Sequence, residues 1–309
     1  MNDEKKKIGK NEVFAIVLMG LFFVIIHGIA LSLVSPFEDA GMQAFEDTDN
    51  PVNIAYILVI MLVFTLAILL IAKYWKKNII QVIILFAIGY TAAYVFYPLL
   101  ATLFSGLPGF WISLGDGSFI IIGLADVLSI VLAIGLVYIL YKYPEWYVID
   151  LSGIVVGSGA IAIFGISLGL TLVLILLIIL AIYDAISVYK TKHMVDLADT
   201  VMDLKLPVLM VIPKIRNYSL IKETKSLKQK IEDKEERDAF FLGLGDIVMP
   251  GILVIACYVN IPNGLPIALS VMAGTLVGFA ALMTFVLKGN PQAGLPLLCS
   301  GAILGYVIS

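Results

Sequence analysis

The stretch FFLGLGDIVMPG, residues 240–251, sets a single carboxylate, Asp246, inside an otherwise apolar run. An isolated ionised carboxylate is costly to bury, so one kept in such surroundings has a partner or a task. What the surroundings are follows from the rest of the chain. Of 309 residues 61% are hydrophobic and only 14% charged, and the mean hydropathy is strongly positive. A soluble domain of that balance would expose large apolar patches. The solvent is therefore mostly lipid, and the run around Asp246 reads as part of a membrane span.

A span needs about 20 apolar residues. Nine segments qualify: 13–34, 53–72, 79–100, 118–141, 147–164, 166–189, 239–259, 266–287 and 291–308. The expected fold class is an all-α polytopic membrane protein. The arm MNDEKKKIGK leads into an apolar run without a small-residue cleavage pattern, which suits a retained anchor rather than a secretory signal. Lys and Arg cluster in the N-terminal arm, in KYWKKN, at Lys142, in 190–238 and at Lys288; the intervening connections contain none. By the positive-inside rule this places the N-terminus in the cytoplasm and the C-terminus outside. The layout is then a six-span part (1–189), a long cytoplasmic loop (190–238) and a three-span part (239–309), acting as one functional unit.

The long loop holds about half of the basic residues. Within it, MVDLADTVMDLK puts Met194, Leu197, Val201 and Leu204 on one helical face, suited to a membrane surface. KLPVLMVIPKI is short, apolar and bounded by prolines, so it reads as an extended strand. KETKSLKQKIEDKEERD is a solvated charged stretch, mobile or helical. The two cysteines, Cys257 and Cys299, lie in apolar segments without metal-type spacing and read as packing thiols.

Ionisable groups within spans are costly and are functional candidates by default. Asp150 sits near the cytoplasmic rim, where water can solvate it. Asp126 and His27 lie in outer halves of their spans; Asp126 reads as a buried hydrogen-bonding group or as lining a hydrated cavity, and His27 as satisfying a backbone or side-chain partner. Asp184 and Asp246 differ. Asp184 precedes the cytoplasmic Lys190 by six residues and Asp246 follows Asp238 by eight, on consecutive spans. At about 1.5 Å rise per residue both lie roughly 9–12 Å deep on the same side. Gly243 and Gly245 remove side chains just before Asp246, which permits close helix approach or leaves room for another backbone. Pro296, eight residues past Lys288, interrupts the chain at matching depth, where irregular backbone survives only if buried in protein or lining water.

These residues resemble a known family. Tyr183-Asp184 looks like the YD motif, and Gly243-Leu244-Gly245-Asp246 like the GxGD motif, of presenilins and signal peptide peptidases. Pro296-Leu297-Leu298 sits where that family carries its PAL motif, with Leu in place of Ala. Layout and motif order look most like a compact microbial presenilin-like member. The resemblance implies a presenilin-like fold and intramembrane aspartyl proteolysis, with Asp184 and Asp246 catalytic and with Tyr183, Gly243, Leu244, Gly245, Pro296, Leu297 and Leu298 binding substrate or shaping the site. No metal or other cofactor is implied. Two like charges close together in a low-dielectric site resist ionising together, so the pair shares one proton.

The expected partners are a transmembrane-helix substrate and the lipid bilayer, without nucleic acid and without obligatory subunits. The expected location is the cell membrane, multi-pass, with the site nearer the cytoplasmic face. A helical substrate must unwind before attack, and the unwound stretch is expected to pair with PVLMVIP or with the edge near Pro296. Two other readings share the membrane carboxylates. An ion channel or proton-coupled transporter would line a path across the whole bilayer, whereas here the polar groups gather toward one side. A prepilin- or preflagellin-type peptidase would lack the late-span proline loop.

Overall fold

The computed structural model describes residues 9–74, 77–104, 110–113, 119–191, 209–215, 218–221, 238–287 and 292–309. Nine α-helices run through them: α1 (Lys10–Asp39), α2 (Val52–Tyr74), α3 (Lys77–Leu103), α4 (Leu124–Lys142), α5 (Trp146–Ser167), α6 (Leu170–Ile186), α7 (Leu244–Asn260), α8 (Leu265–Val286) and α9 (Leu295–Ile308). Among the described residues 6 helices are long and apolar enough to cross a membrane. Val52–Phe64, Leu244–Asn260 and Leu295–Ile308 are shorter apolar helices.

The all-α class requires an amendment. Two antiparallel strand pairs accompany the helices: β1 (Phe110–Ser113) with β2 (Phe119–Ile122), and β3 (Leu209–Pro213) with β4 (Ala239–Gly243). The strand expected in KLPVLMVIPKI is β3. Its partner was not anticipated, because AFFLG reads equally well as the start of an apolar helix. The seventh helix therefore begins at Leu244 rather than 239. The fourth begins at Leu124 rather than 118, after β2, and the ninth at Leu295 rather than 291. The surface helix expected over 194–205 and the charged stretch over 222–237 lie outside the described residues.

Helix α5 is the hub. Its glycines make the hub possible, since small residues allow close approach. Gly159 packs on Val95 of α3 and Gly165 on Ile255 of α7, in contacts that leave no space for a side chain. Gly157 faces Ile26 of α1 and Leu244 of α7, and Gly153 faces Met210 of β3. The small-residue content of this span is thus explained by four neighbours crowding one helix.

A second close contact joins α8 to α9. A β-carbon on Gly274 would strike the Gly301 carbonyl, one on Gly278 the Leu297 carbonyl, and one on Gly305 the Ser270 carbonyl. Ser270 Oγ also donates to the Gly305 carbonyl at 2.7 Å. Two glycine pairs spaced by four residues lock these helices backbone to backbone. The start of α9 is thereby held in place against α6 and α7.

Candidate active site

The GLGD segment lies at a strand-to-helix junction. β4 ends at Gly243, which is the N-cap of α7 with extended backbone. Asp246 is therefore the third residue of α7, where a carboxylate complements the free N–H groups of a helix start. A β-carbon on Gly243 would come 3.3 Å from Asp246 Oδ2, a tight contact to which the carboxylate would have to yield. Gly245 is exposed, with open space where a side chain would be. Leu244 turns the other way, onto Gly153 and Gly157 of α5.

Asp184 lies in the last turn of α6, just before a π-turn over Ser187–Thr191. A helix C-terminus is a poor place for a negative charge, so compensation has to come from elsewhere. It comes from α9. The Leu295 N–H donates to Asp184 Oδ2 at 3.1 Å. Leu295 is the first residue of that helix, so its N–H has no acceptor within the helix. Pro296 follows in the first turn, where a missing N–H costs nothing. Asp184 is 3% exposed.

The backbone at Gly294 touches the other carboxylate. A β-carbon there would lie 2.8 Å from Asp246 Oδ2 and 3.0 Å from its Cγ. Asp184 and Asp246 thus converge on one dipeptide, Gly294–Leu295. The positive ends of α7 and α9 both face this point. Leu298 is buried beneath it, and Pro296 and Leu297 are half-buried.

Tyr183 is not drawn into the pair: it is 63% exposed, on the outward face of α6. Among the described residues no three His, Cys, Asp or Glu side chains gather as a metal-ligand set would. Both cysteines are buried and unpaired.

His27 is the hydrogen-bonding group expected, and the structure supplies its partner. Its Nε2 donates to the Ile247 carbonyl at 3.1 Å, one residue past Asp246. Pro250 deprives the Asp246 carbonyl of its helical partner, so the first turn of α7 is short of internal bonds and α1 reinforces it. Gly251 leaves room for the ring, since a β-carbon there would come 2.8 Å from Nε2. Gly294 was missed, although its place two residues before Pro296 was a signal. Asp126 reaches back to cap α4 at Gly123 N–H, 2.8 Å. Asp150 departs from expectation. It is not solvated at a rim but 2% exposed, because β3 folds over it.

Residues 19–309 match the family described as signal-peptide peptidase, presenilin aspartyl protease. The chain belongs to that family. Two solved structures, both of a presenilin family intramembrane aspartate protease, in C222 and P2 crystal forms, are 34% identical to it. The first covers 95% of this chain and 97% of its own, with a TM-score of 0.67. The second covers 94% and 95%, with a TM-score of 0.65. No curated protein sequence matches. This member of the presenilin family is accordingly a multi-pass membrane protein and an intramembrane aspartic endopeptidase.

Proposed function

We propose that Asp184 and Asp246 hydrolyse peptide bonds within transmembrane segments of membrane proteins or signal peptides, by activating water. The observation that carries this reading is the convergence of both carboxylates on Gly294–Leu295. In the proposed step one carboxylate, ionised, takes a proton from water as the oxygen attacks the scissile carbonyl. Its partner, protonated, donates to the carbonyl oxygen. The two roles belong to the pair as a unit, since coupled sites titrate together. The helix starts of α7 and α9 complement the one negative charge the pair retains. Gly243 and Gly245 leave the strand-to-helix junction before Asp246 without side chains.

The substrate strand is assigned to the outer edge of β4. In the ladder, Lys214 N–H bonds the Asp238 carbonyl at 2.8 Å. By alternation, Ile212 and Met210 also face β4, while Val211 turns away from it. That outward Val211 N–H is already given to Asp150, which argues against the PVLMVIP edge as the docking edge. Phe241 turns its N–H and C=O to the opposite side, away from β3. A cleft of ≈ 650 Å³ between α2 and the start of α6, lined by Asp49, Ile54, Leu58, Thr171 and Leu172 among others, lies at the opposite end of α6 from Asp184. The enzyme works in the cell membrane with its site nearer the cytoplasmic face, and without obligatory subunits.

The test is cleavage of a model transmembrane substrate by the purified full chain in lipid vesicles, read by product masses. Wild type is expected to cut, and Asp184→Asn and Asp246→Asn are each expected to be inactive. Cleavage surviving in the double amide variant would overturn the assignment.

A further inference from the structure

Asp150 takes no part in the catalytic pair, yet it is a carboxylate enclosed in the protein. Its Oδ1 accepts the Val211 N–H at 2.8 Å. Its Oδ2 has no hydrogen-bond partner among the described residues. Two more acids fasten the same stretch of chain. Glu145, the N-cap of α5, accepts Ser219 Oγ at 2.6 Å and Leu220 N–H at 3.1 Å. Glu12 of α1 meets Lys214 Nζ at 3.4 Å. Val211, Lys214, Ser219 and Leu220 are therefore held by acids from two helices, and Asp150 is the one whose bond falls on a strand edge.

That edge is coupled to the site. Val211 stands opposite Phe241 in the register of β3 with β4. β4 then runs through Gly243 into α7, where Asp246 lies three residues on. A strand edge with a vacant donor invites a second strand, and a pair whose register is loosely set can slip. A slip of one residue would move the strand by about 3.3 Å and reverse its faces.

We propose that Asp150 is a positioning residue for proteolysis: it occupies the Val211 amide, closes the outer edge of β3, and sets the register in which β4 presents one substrate bond to Asp184 and Asp246. The proposal rests on the reading that β4 takes the substrate strand. It gives the buried carboxylate a reason to be there, since an apolar residue at 150 would leave the Val211 N–H without its acceptor.

The experiment compares the full-length wild type with Asp150→Ala, Asp150→Asn, Val211→Pro and the Asp150→Ala/Val211→Pro double variant in lipid vesicles. Products are weighed and kcat and KM measured on a model transmembrane peptide. Wild type should give one dominant pair of products. Asp150→Ala should spread cleavage over neighbouring bonds and lower kcat about tenfold, because small misplacements of reacting groups are costly. KM should change by no more than about twofold, as binding itself is retained. Asp150→Asn should restore the wild-type product pattern, since an amide oxygen accepts the same bond. Val211→Pro removes the donor without breaking a ladder rung and should mimic Asp150→Ala, with the double variant no worse than either. If Asp150→Ala does not fold, Val211→Pro carries the test alone. The wild-type product pattern in both, with activity lost only in proportion to folded protein, would overturn the proposal. Scattered products from Asp150→Asn equal to those of Asp150→Ala would overturn it too. Asp246→Asn serves as a separate control: activity there would sink the assignment of the catalytic pair and leave the role of Asp150 to the product patterns.

Discussion

At the scale of single residues, Gly294 shows how little space the site allows. Its φ of −79 is open to any amino acid, so the demand for glycine is one of contact with Asp246 rather than of backbone conformation. Gly294→Ala is expected to push the α9 start and the Asp246 carboxylate apart. Overpacking of this kind costs about 1–3 kcal/mol, and the resulting misplacement should lower kcat about 10²-fold. Turnover of a model substrate, alongside a thermal unfolding curve, separates the two effects. At the other end of the pair, His27→Leu removes one bond to the Ile247 carbonyl. The expected loss is about 1 kcal/mol of stability, with a further fall in kcat as the first turn of α7 loosens. Retained turnover in this variant would remove α1 from any account of the site.

At the scale of elements, α9 is short and depends on α8 for its place. Its Leu295 N–H reaches Asp184 only because glycine faces glycine along the α8–α9 contact. Gly278→Val and Gly305→Val should each separate the helices and weaken the Asp184 bond. The expectation is a loss of several kcal/mol in stability, as for other forced steric insertions in tight packing, with activity falling further than stability. Denaturation in detergent and turnover on the same preparations check both halves. A variant that unfolded more readily but cleaved at the wild-type rate would show that α9 is not what positions Asp184.

At the scale of the whole molecule, the prediction concerns sufficiency. A single purified chain in vesicles is expected to cleave a transmembrane peptide, and a hydroxyl-containing mimic of the tetrahedral intermediate should block it, because such mimics bind the transition-state geometry. The mass of the active preparation should equal that of the uncut chain. Activity that required an added membrane protein, or that arose only after scission within 190–238, would contradict this reading.

Much of this molecule was legible without coordinates. Composition demanded lipid as the solvent. Counting residues to the nearest charged loop, at the fixed rise of an α-helix, gave Asp184 and Asp246 a common level, and in the folded chain both reach Gly294–Leu295. The glycines beside Asp246 and the proline at 296 stood out because each breaks a rule of helix interiors. Other features depended on the folded chain. AFFLG is apolar enough for either a helix or a strand, and pairing with β3 decided it. The burial of Asp150, the reach of His27 to α7, the meeting of Leu295 with Asp184 and the contact of Gly294 with Asp246 join residues far apart in sequence. Periodicity and propensity act over a few turns and so determine which segments span. Which backbone amide meets which carboxylate is set by how closely α5, α7, α8 and α9 pack, and that closeness exists only once all of them are in place.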